Sequence, residues 1–344
     1  MLVACLDPVG PQSDLDSAVR DTGTDARVDS GASDASSDPD AALACVPSRW
    51  PEGPDVPGGT EDIKRFFALR DIVLDQEDRW DEIGWDIDGE CTEDIDTRVC
   101  RRDAADAFTA DGPAGLDNSF GENVLPRIVA VHADLEDVVR ERMEAGETMI
   151  IGLREWNGTD TDPVLHFTMV RTAGLTDDRE EPLWDGTDRY FRDEDGFIDG
   201  GGPVALKISD RAAYINDGVL VGTIPDRQPI VLPWLDGAMI GLPLLSGRVT
   251  ARIAPDLQTL EDVWIQGRIS IFDVRRMWDE AGFCAGEDIR RTVDAAVDDS
   301  LDGLINEGVG GDPFCDTISI AIQLRAQRAE ISDPVPLGRS GQCE

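Results

Sequence analysis

Lysine and long apolar runs are scarce in this chain, and each scarcity excludes a class of partner or attachment. The 344 residues include 31 Lys or Arg against 71 Asp or Glu, so the net charge is −40, and Lys64 and Lys207 are the two lysines. Because nucleic-acid binding needs clustered cationic side chains opposite the phosphates, nucleic acid is not an expected partner. No stretch approaches the roughly 20 apolar residues that span a bilayer, so membrane attachment would come through a lipid.

The chain also has little that is typical of common catalytic sites. Its two histidines, His132 and His166, lie in a predicted helix and a predicted strand, and each is interpreted as a packed residue, not a general base. A Gly-x-Ser-x-Gly elbow, a Walker loop and a dinucleotide fingerprint are absent. Without a CxxC pair, a zinc site is disfavoured. Glu155 and Asp185, each beside a tryptophan, are the candidates for the carboxylate pair of a hydrolase.

The first five residues end in Leu2-Val3-Ala4-Cys5, which resembles the lipobox of bacterial lipoproteins. The charged and apolar regions that precede a lipobox are not represented, so residues 1–5 are interpreted as the remnant of a truncated signal. Residues 6–44 are rich in Asp, Ser and Ala without an apolar period, which predicts a disordered acidic tether. The resemblance implies a lipid on Cys5 and a location outside the cytoplasm, at the outer membrane or cell surface.

The cysteine count agrees with export. Six cysteines follow Cys5, and an even number is typical of disulfides in an oxidising compartment. Short separation favours a pair between Cys91 and Cys100, and one arrangement of the other four joins Cys284 to Cys315 and Cys45 to Cys343.

The remaining sequence indicates a mainly β fold of the α+β class. Residues 45–120 carry scattered Trp and Phe and predict a loop-rich, disulfide-containing cap, whereas residues 121–344 predict a β-rich domain with helices. Strands are indicated by alternation, as in residues 165–170 and 263–271. The expected architecture is an antiparallel β-sandwich or a curved sheet, with a packing helix near 126–146 and a C-terminal helical insertion near 272–306.

Two acidic loops share the pattern Asp-x-Asp-Gly, which lets a tight turn direct several carboxylate oxygens at one cation. Calcium prefers such hard oxygen ligands, although neither loop matches an EF-hand. The alternative is that Asp-Gly turns arise from composition alone, since Asp and Gly both favour turns. The predicted calcium ligands are Asp86, Asp88, Asp117 and Asn118 for the first loop, and Asp193, Asp195 and Asp199 for the second.

The whole stretch from Gly84 through Gly121, which begins with Gly84–Gly89 and ends with Gly115–Gly121, resembles a block of uncharacterised surface lipoproteins of myxobacterial type. That resemblance implies a location and no activity. The sequence therefore predicts a lipid-anchored surface module that binds a glycan, a lipid or an envelope protein, with loops stabilised by calcium. The alternatives are a secreted, glycosidase-like hydrolase that uses carboxylates and a purely structural envelope component.

Overall fold

The helices and strands lie in the part of the chain that the computed structural model describes. These residues are 48–59, 61–89, 91, 100, 111–177, 179, 181–199, 205–305 and 314–335. The predicted lipobox and tether, with Cys5, Cys45 and Cys343, lie outside them.

Eleven strands and four helices make up the regular structure of the described residues. The strands are β1 Ile63–Val73, β2 Met149–Trp156, β3 Asp162–Leu175, β4 Arg189–Asp193, β5 Ile208–Asn216, β6 Val219–Thr223, β7 Pro229–Pro233, β8 Met239–Pro243, β9 Leu245–Ile253, β10 Thr259–Ser270 and β11 Thr317–Val335. The helices are α1 Leu125–Val131, α2 Leu135–Glu144, α3 Ile271–Glu280 and α4 Asp288–Asp298. The prediction of a mainly β, α+β fold is confirmed.

The large sheet curves until it closes on itself. Eight strands pair antiparallel in the order β1, β2, β3, β5, β6, β9, β10 and β11, and β11 returns to pair with β1. Of the two predicted arrangements, the curved sheet is therefore the one that forms. Strand β4 fills the space between the extensions of β3 and β11, antiparallel to β3 and parallel to β11. Strands β7 and β8 form a separate hairpin.

Alternation along each strand assigns one face to the inside of the closed sheet. Leu165, Phe167 and Met169 of β3 belong to the main core, to which all eight strands of the ring contribute. Side chains from the four helices and the β7–β8 hairpin join the same core, so they cover the inner face. On the outer face, Tyr190 of β4 packs against Ala68 of β1 in a second, smaller cluster. None of the described helices is long and apolar enough to cross a membrane.

The helix predicted near 126–146 is two helices, with a break at residues 132–134. The pattern of apolar residues continues across the break, which is why the sequence indicated one helix. At the start of α2, the Glu136 carboxylate accepts hydrogen bonds from the backbone of Leu74 and Asp75, both 2.9 Å. Acidic residues are favourable near a helix N-terminus, so Glu136 both starts α2 and fixes it to the end of β1. The C-terminal helical insertion is confirmed as α3 and α4, although it ends at Asp298.

Strand β1 lies in the segment that the sequence predicted to be a loop-rich cap. It pairs with β2 on one side and β11 on the other, so it closes the ring. Phe67, Ala68 and Leu69 are fully buried. Both faces of β1 are covered, and the alternation typical of a half-exposed strand is therefore missing.

The disulfides differ from the pairing that short separation favoured. Cys100 is bonded to Cys315, 215 residues away, which makes the predicted pairs Cys91–Cys100 and Cys284–Cys315 wrong. Cys91 and Cys284 are each disulfide-bonded as well. The entropic cost of closing a loop grows only slowly with its length, so short separation is a weak guide once the strands have set the chain's path.

Candidate metal site

Three short segments of the chain meet beside the sheet and form the candidate site. The backbone N–H of Asp86 donates to the Ser48 carbonyl at 2.7 Å, and the Ser48 N–H donates to the Ala114 carbonyl at 2.7 Å. The Asp117 N–H donates to the Trp85 carbonyl at 3.2 Å. These bonds hold residues 84–89 against residues 111–118, so that two acidic turns face each other.

The two turns bring together three of the predicted ligands. Carboxylate oxygens of Asp86, Asp88 and Asp117 all lie within 4.8 Å of one another. Asp86 is fully buried and Asp117 is 7% exposed. Within the described residues this is the one group of three or more acidic, His or Cys side chains with such a spacing. The arrangement is suited to a cation with hard oxygen ligands.

The electrostatics of the site are unfavourable for three negative charges alone. Burial raises the pKa of Asp117 well above its ordinary value, and the nearby carboxylates of Asp88, Asp302 and Asp111 raise it further. Burial also raises the pKa of Asp86. Because burial and like charges at short range both disfavour ionisation, a bound cation would offset the cost of holding these carboxylates together in their charged form.

Hydrogen bonds fix the orientation of the carboxylates and leave one oxygen without a donor. Asp117 Oδ2 accepts from the backbone N–H groups of Ile87 at 2.6 Å and Asp88 at 3.3 Å. Asp86 Oδ1 accepts from the Gly89 N–H, and Gly89 makes this turn with a φ of 87°, which favours glycine. Asp86 Oδ2 is buried without a hydrogen-bond partner among the described residues. The Arg49 Nε lies 3.6 Å from that oxygen, so the two form an ion pair without a hydrogen bond, and the Arg49 charge opposes the rise in the Asp86 pKa.

Asn118, the fourth predicted ligand, is not at the site. Its Nδ2 donates to Gln76 Oε1 at 2.9 Å, and its Oδ1 accepts from the backbone N–H groups of Gly121 and Ala321. The amide is therefore engaged in joining residue 118 to β11 and to the turn before α1. Neighbouring residues in an extended segment direct their side chains to opposite sides, which separates Asn118 from Asp117.

The second predicted loop does not form a comparable group. Asp193, Asp195 and Asp199 do not converge to the spacing seen in the first loop. Asp193 Oδ1 accepts from the Asp195 N–H at 3.0 Å and thereby caps a short turn, while Oδ2 faces the Arg171 guanidinium at 3.8 Å. This loop is an ordinary Asp-capped turn, which agrees with the alternative that Asp-Gly turns arise here from composition alone.

One charged group near the site has no signal in the sequence. Asp302 accepts hydrogen bonds from the N–H of Ser319 at 2.8 Å and from its hydroxyl. Its pKa is raised by burial, and its charge is one of those that raise the pKa of Asp117. Asp302 and Asp117 are far apart in the sequence, so their proximity could not be predicted from it. The proximity depends on the position of β11, whose Ser319 binds Asp302.

The two hydrolase candidates are not in the surroundings that a general acid needs. The Glu155 side chain is 60% exposed and lies 3.8 Å from Arg211. Hydrogen bonds from Thr187 lower the pKa of Asp185, whereas a catalytic acid needs a raised pKa in an apolar cleft. The structure therefore places neither acid where glycoside hydrolysis would need it.

Both histidines are packed against neighbouring side chains. His132 stacks on Phe283 with ring centroids 5.9 Å apart. His166 Nε2 lies 2.8 Å from the Ser209 hydroxyl. Burial lowers the pKa of His166, and the nearby Arg211 lowers it further.

The lowered pKa of His166 predicts a loss of stability on mild acidification. The unfolded chain binds a proton at His166 near the ordinary pKa of about 6.5, whereas the folded protein binds it only at lower pH. The stability that neutral His166 contributes is therefore complete above that value and is lost as the pH falls below it. We expect His166→Gln, which keeps a polar group near Ser209, to lose less stability than the wild type between pH 7.5 and pH 5.5 in urea unfolding. Equal losses in the two proteins would contradict the expectation.

The fold and the site define a β-rich α+β protein with a buried three-carboxylate cluster of the kind that binds a metal ion. No known protein family, curated protein or solved structure matches this chain.

Proposed function

We propose that this protein is a surface module outside the cytoplasm, anchored through a lipid on Cys5, whose loops are stabilised by calcium bound at Asp86, Asp88 and Asp117. It acts as a binding or structural component of the cell envelope. The Cys100–Cys315 disulfide supports such a location, because disulfides persist in oxidising compartments. The lipobox resemblance and the acidic composition of residues 6–44 support the lipid anchor and tether.

The observation that carries the metal site is the buried Oδ2 of Asp86. A carboxylate oxygen that is removed from water and receives no hydrogen bond is costly, and its ion-pair partner at 3.6 Å, the Arg49 guanidinium, is itself half-exposed. A bound cation would supply the close partner that this oxygen lacks. One carboxylate oxygen from each of Asp86, Asp88 and Asp117 lies within 4.8 Å of the other two. All ligands are oxygens, which favours calcium over zinc, and calcium accepts the irregular geometry of a loop site more readily than magnesium.

An ion at this position would connect the loop segments to the sheet. The Trp85 indole N–H donates to the Thr250 hydroxyl of β9 at 3.1 Å, and its ring packs edge-on against Trp264 of β10 at 5.0 Å. Residue 85 is thus anchored to two strands, and the next residue is a ligand. Calcium would therefore hold the turn of residues 111–118 and the backbone of Ser48 on the surface of the closed sheet.

Calcium is expected to raise the melting temperature of the full chain. A ligand that binds only the folded state stabilises it by RT ln(1 + [L]/Kd), about 2.7 kcal/mol at a concentration of about 100 Kd. Thermal unfolding is measured with a chelator, with millimolar calcium and with millimolar magnesium. The proposal expects a concentration-dependent rise with calcium and a smaller rise with magnesium. An identical melting temperature in chelator and in calcium would refute it.

A further inference from the structure

A cleft of about 800 Å³ lies beside β3, at the point where its neighbours change. β3 pairs with β5 as far as Met169 and Ile208, and with β4 from Thr172 onward. The sheet separates between these two pairings. Met149, Met169, Ile208 and Val231 give the cleft apolar walls. The open end of a closed sheet is a common position for a small-molecule site.

Arg171 places a guanidinium beside these apolar walls. It is two residues from Met169 on β3, so it shares the inward-facing register, and it lies opposite Met149 on β2. Its side chain is 24% exposed, and its ion pair with Asp193 spans 3.8 Å, too long for a hydrogen bond. Among the described residues, none accepts a hydrogen bond from the Arg171 side chain. A guanidinium has five N–H donors in a planar fork, so the cleft presents unused donors for an anion.

The other charges of the cleft limit the anion to one negative charge. Lys207 Nζ donates to the Asp195 carbonyl at 2.7 Å, and Asp193, Asp195 and Asp199 also line the cleft. These three carboxylates repel any anion, and because the repulsion grows with the charge of the anion, it is stronger for a phosphate or a dicarboxylate than for a single carboxylate. A neutral apolar molecule would cover the Arg171 donors without satisfying them, which is costly. A single carboxylate instead matches the fork with two parallel hydrogen bonds.

We propose that this cleft binds a monocarboxylate with an apolar body, of the size and class of a medium-chain fatty acid. Arg171 binds the carboxylate, and Met149, Met169, Ile208 and Val231 contact the chain. The site is separate from the carboxylate cluster at Asp86, and the proposal does not depend on calcium.

Three probes of equal chain length test whether the ligand needs a negative charge and whether it can carry two. Octanoate, octanamide and octanedioate are titrated into the full chain by calorimetry, with a chelator present. Octanoate is expected to bind about tenfold or more tightly than octanamide, because hydrogen bonds to a charged group are worth more than neutral ones. Octanedioate is expected to bind more weakly than octanoate, since its second carboxylate must enter an apolar and acidic cleft.

Variants of Arg171 test the anchor. Arg171→Gln is expected to weaken octanoate binding about tenfold and to remove the preference over octanamide. Arg171→Lys keeps the charge but loses the fork, so an intermediate affinity is expected. Thermal unfolding of each variant confirms that it is folded.

A second pair of variants tests the cleft without changing Arg171. Ile198 lines the cleft and is 53% exposed, whereas Leu183 is 61% exposed and is not among the residues that line it. Ile198→Asp is expected to weaken octanoate binding several-fold by repulsion, while Leu183→Asp adds the same charge elsewhere and leaves it unchanged. Equal affinities for octanoate and octanamide, undiminished binding by Arg171→Gln, or no octanoate binding at about 10 mM would each overturn the proposal.

Discussion

Asp117→Asn is expected to abolish the stabilisation by calcium without destabilising the calcium-free protein. The amide oxygen can still accept from Ile87 and Asp88, as Asp117 Oδ2 does. The substitution also removes a buried negative charge that Asp88, Asp302 and Asp111 disfavour. At about 1,000 Kd of calcium, the wild type is expected to gain about 4 kcal/mol, and Asp117→Asn close to none. Urea unfolding with calcium and with chelator measures both quantities.

Asp199→Asn is the matched control for this experiment. It makes the same change at an exposed carboxylate of the second acidic loop, where the structure shows no convergence of ligands. We expect its response to calcium to equal that of the wild type. A full calcium response in Asp117→Asn would place the ion elsewhere, and a lost response in Asp199→Asn would point to the second loop.

Removing the Cys100–Cys315 disulfide is expected to lower the free energy of unfolding by about 2–5 kcal/mol. The bond joins residues 215 positions apart, and the entropy that a cross-link removes from the unfolded chain increases with the length of the loop. Cys100 and Cys315 are both buried, so alanine is a suitable replacement at each position. Guanidinium unfolding of the double variant Cys100→Ala, Cys315→Ala under oxidising conditions measures the loss.

The two single variants separate the cross-link from packing. If the cross-link dominates, each single substitution already loses it, and the double variant is no less stable than either single variant. If packing dominates, the two losses add. A double variant within about 0.5 kcal/mol of the wild type would contradict the expected contribution of the disulfide.

Where apolar and polar residues alternate, periodicity along the sequence predicted the strands. Residues 165–170 and 263–271 alternate, and the structure has residues 165–170 in β3 and residues 263–270 in β10, while Ile271 begins α3. Strand β1 was missed because consecutive apolar side chains lie on both of its faces: Phe67 and Leu69 belong to the main core, and Ala68 belongs to the cluster around Tyr190. The break between α1 and α2 was missed because Glu136 binds the end of β1, a contact outside the helix.

Local turn chemistry was sufficient to predict that the carboxylates of the first acidic loop converge. The Asp-x-Asp-Gly turn places Asp86 and Asp88 on one side, and the Asp-rich turn before Asn118 supplies Asp117. The same pattern at Asp193 forms a capped turn, and among the described residues no group of three converging carboxylates forms there. A local pattern therefore indicates which turns have the right chemistry, but not which of them acquires a facing partner.

The sequence by itself determined the acidic surface, the β-rich class, most of the strands and the residues of one acidic turn. These properties follow from composition and from periods of two or of three to four residues, which depend only on neighbours along the chain. The tertiary structure decided the closure of the sheet through β1, the pairing of Cys100 with Cys315 and the choice between the two acidic loops. Each of these joins residues far apart in sequence, and the packing of the sheet selects among arrangements that local preferences leave equally favourable.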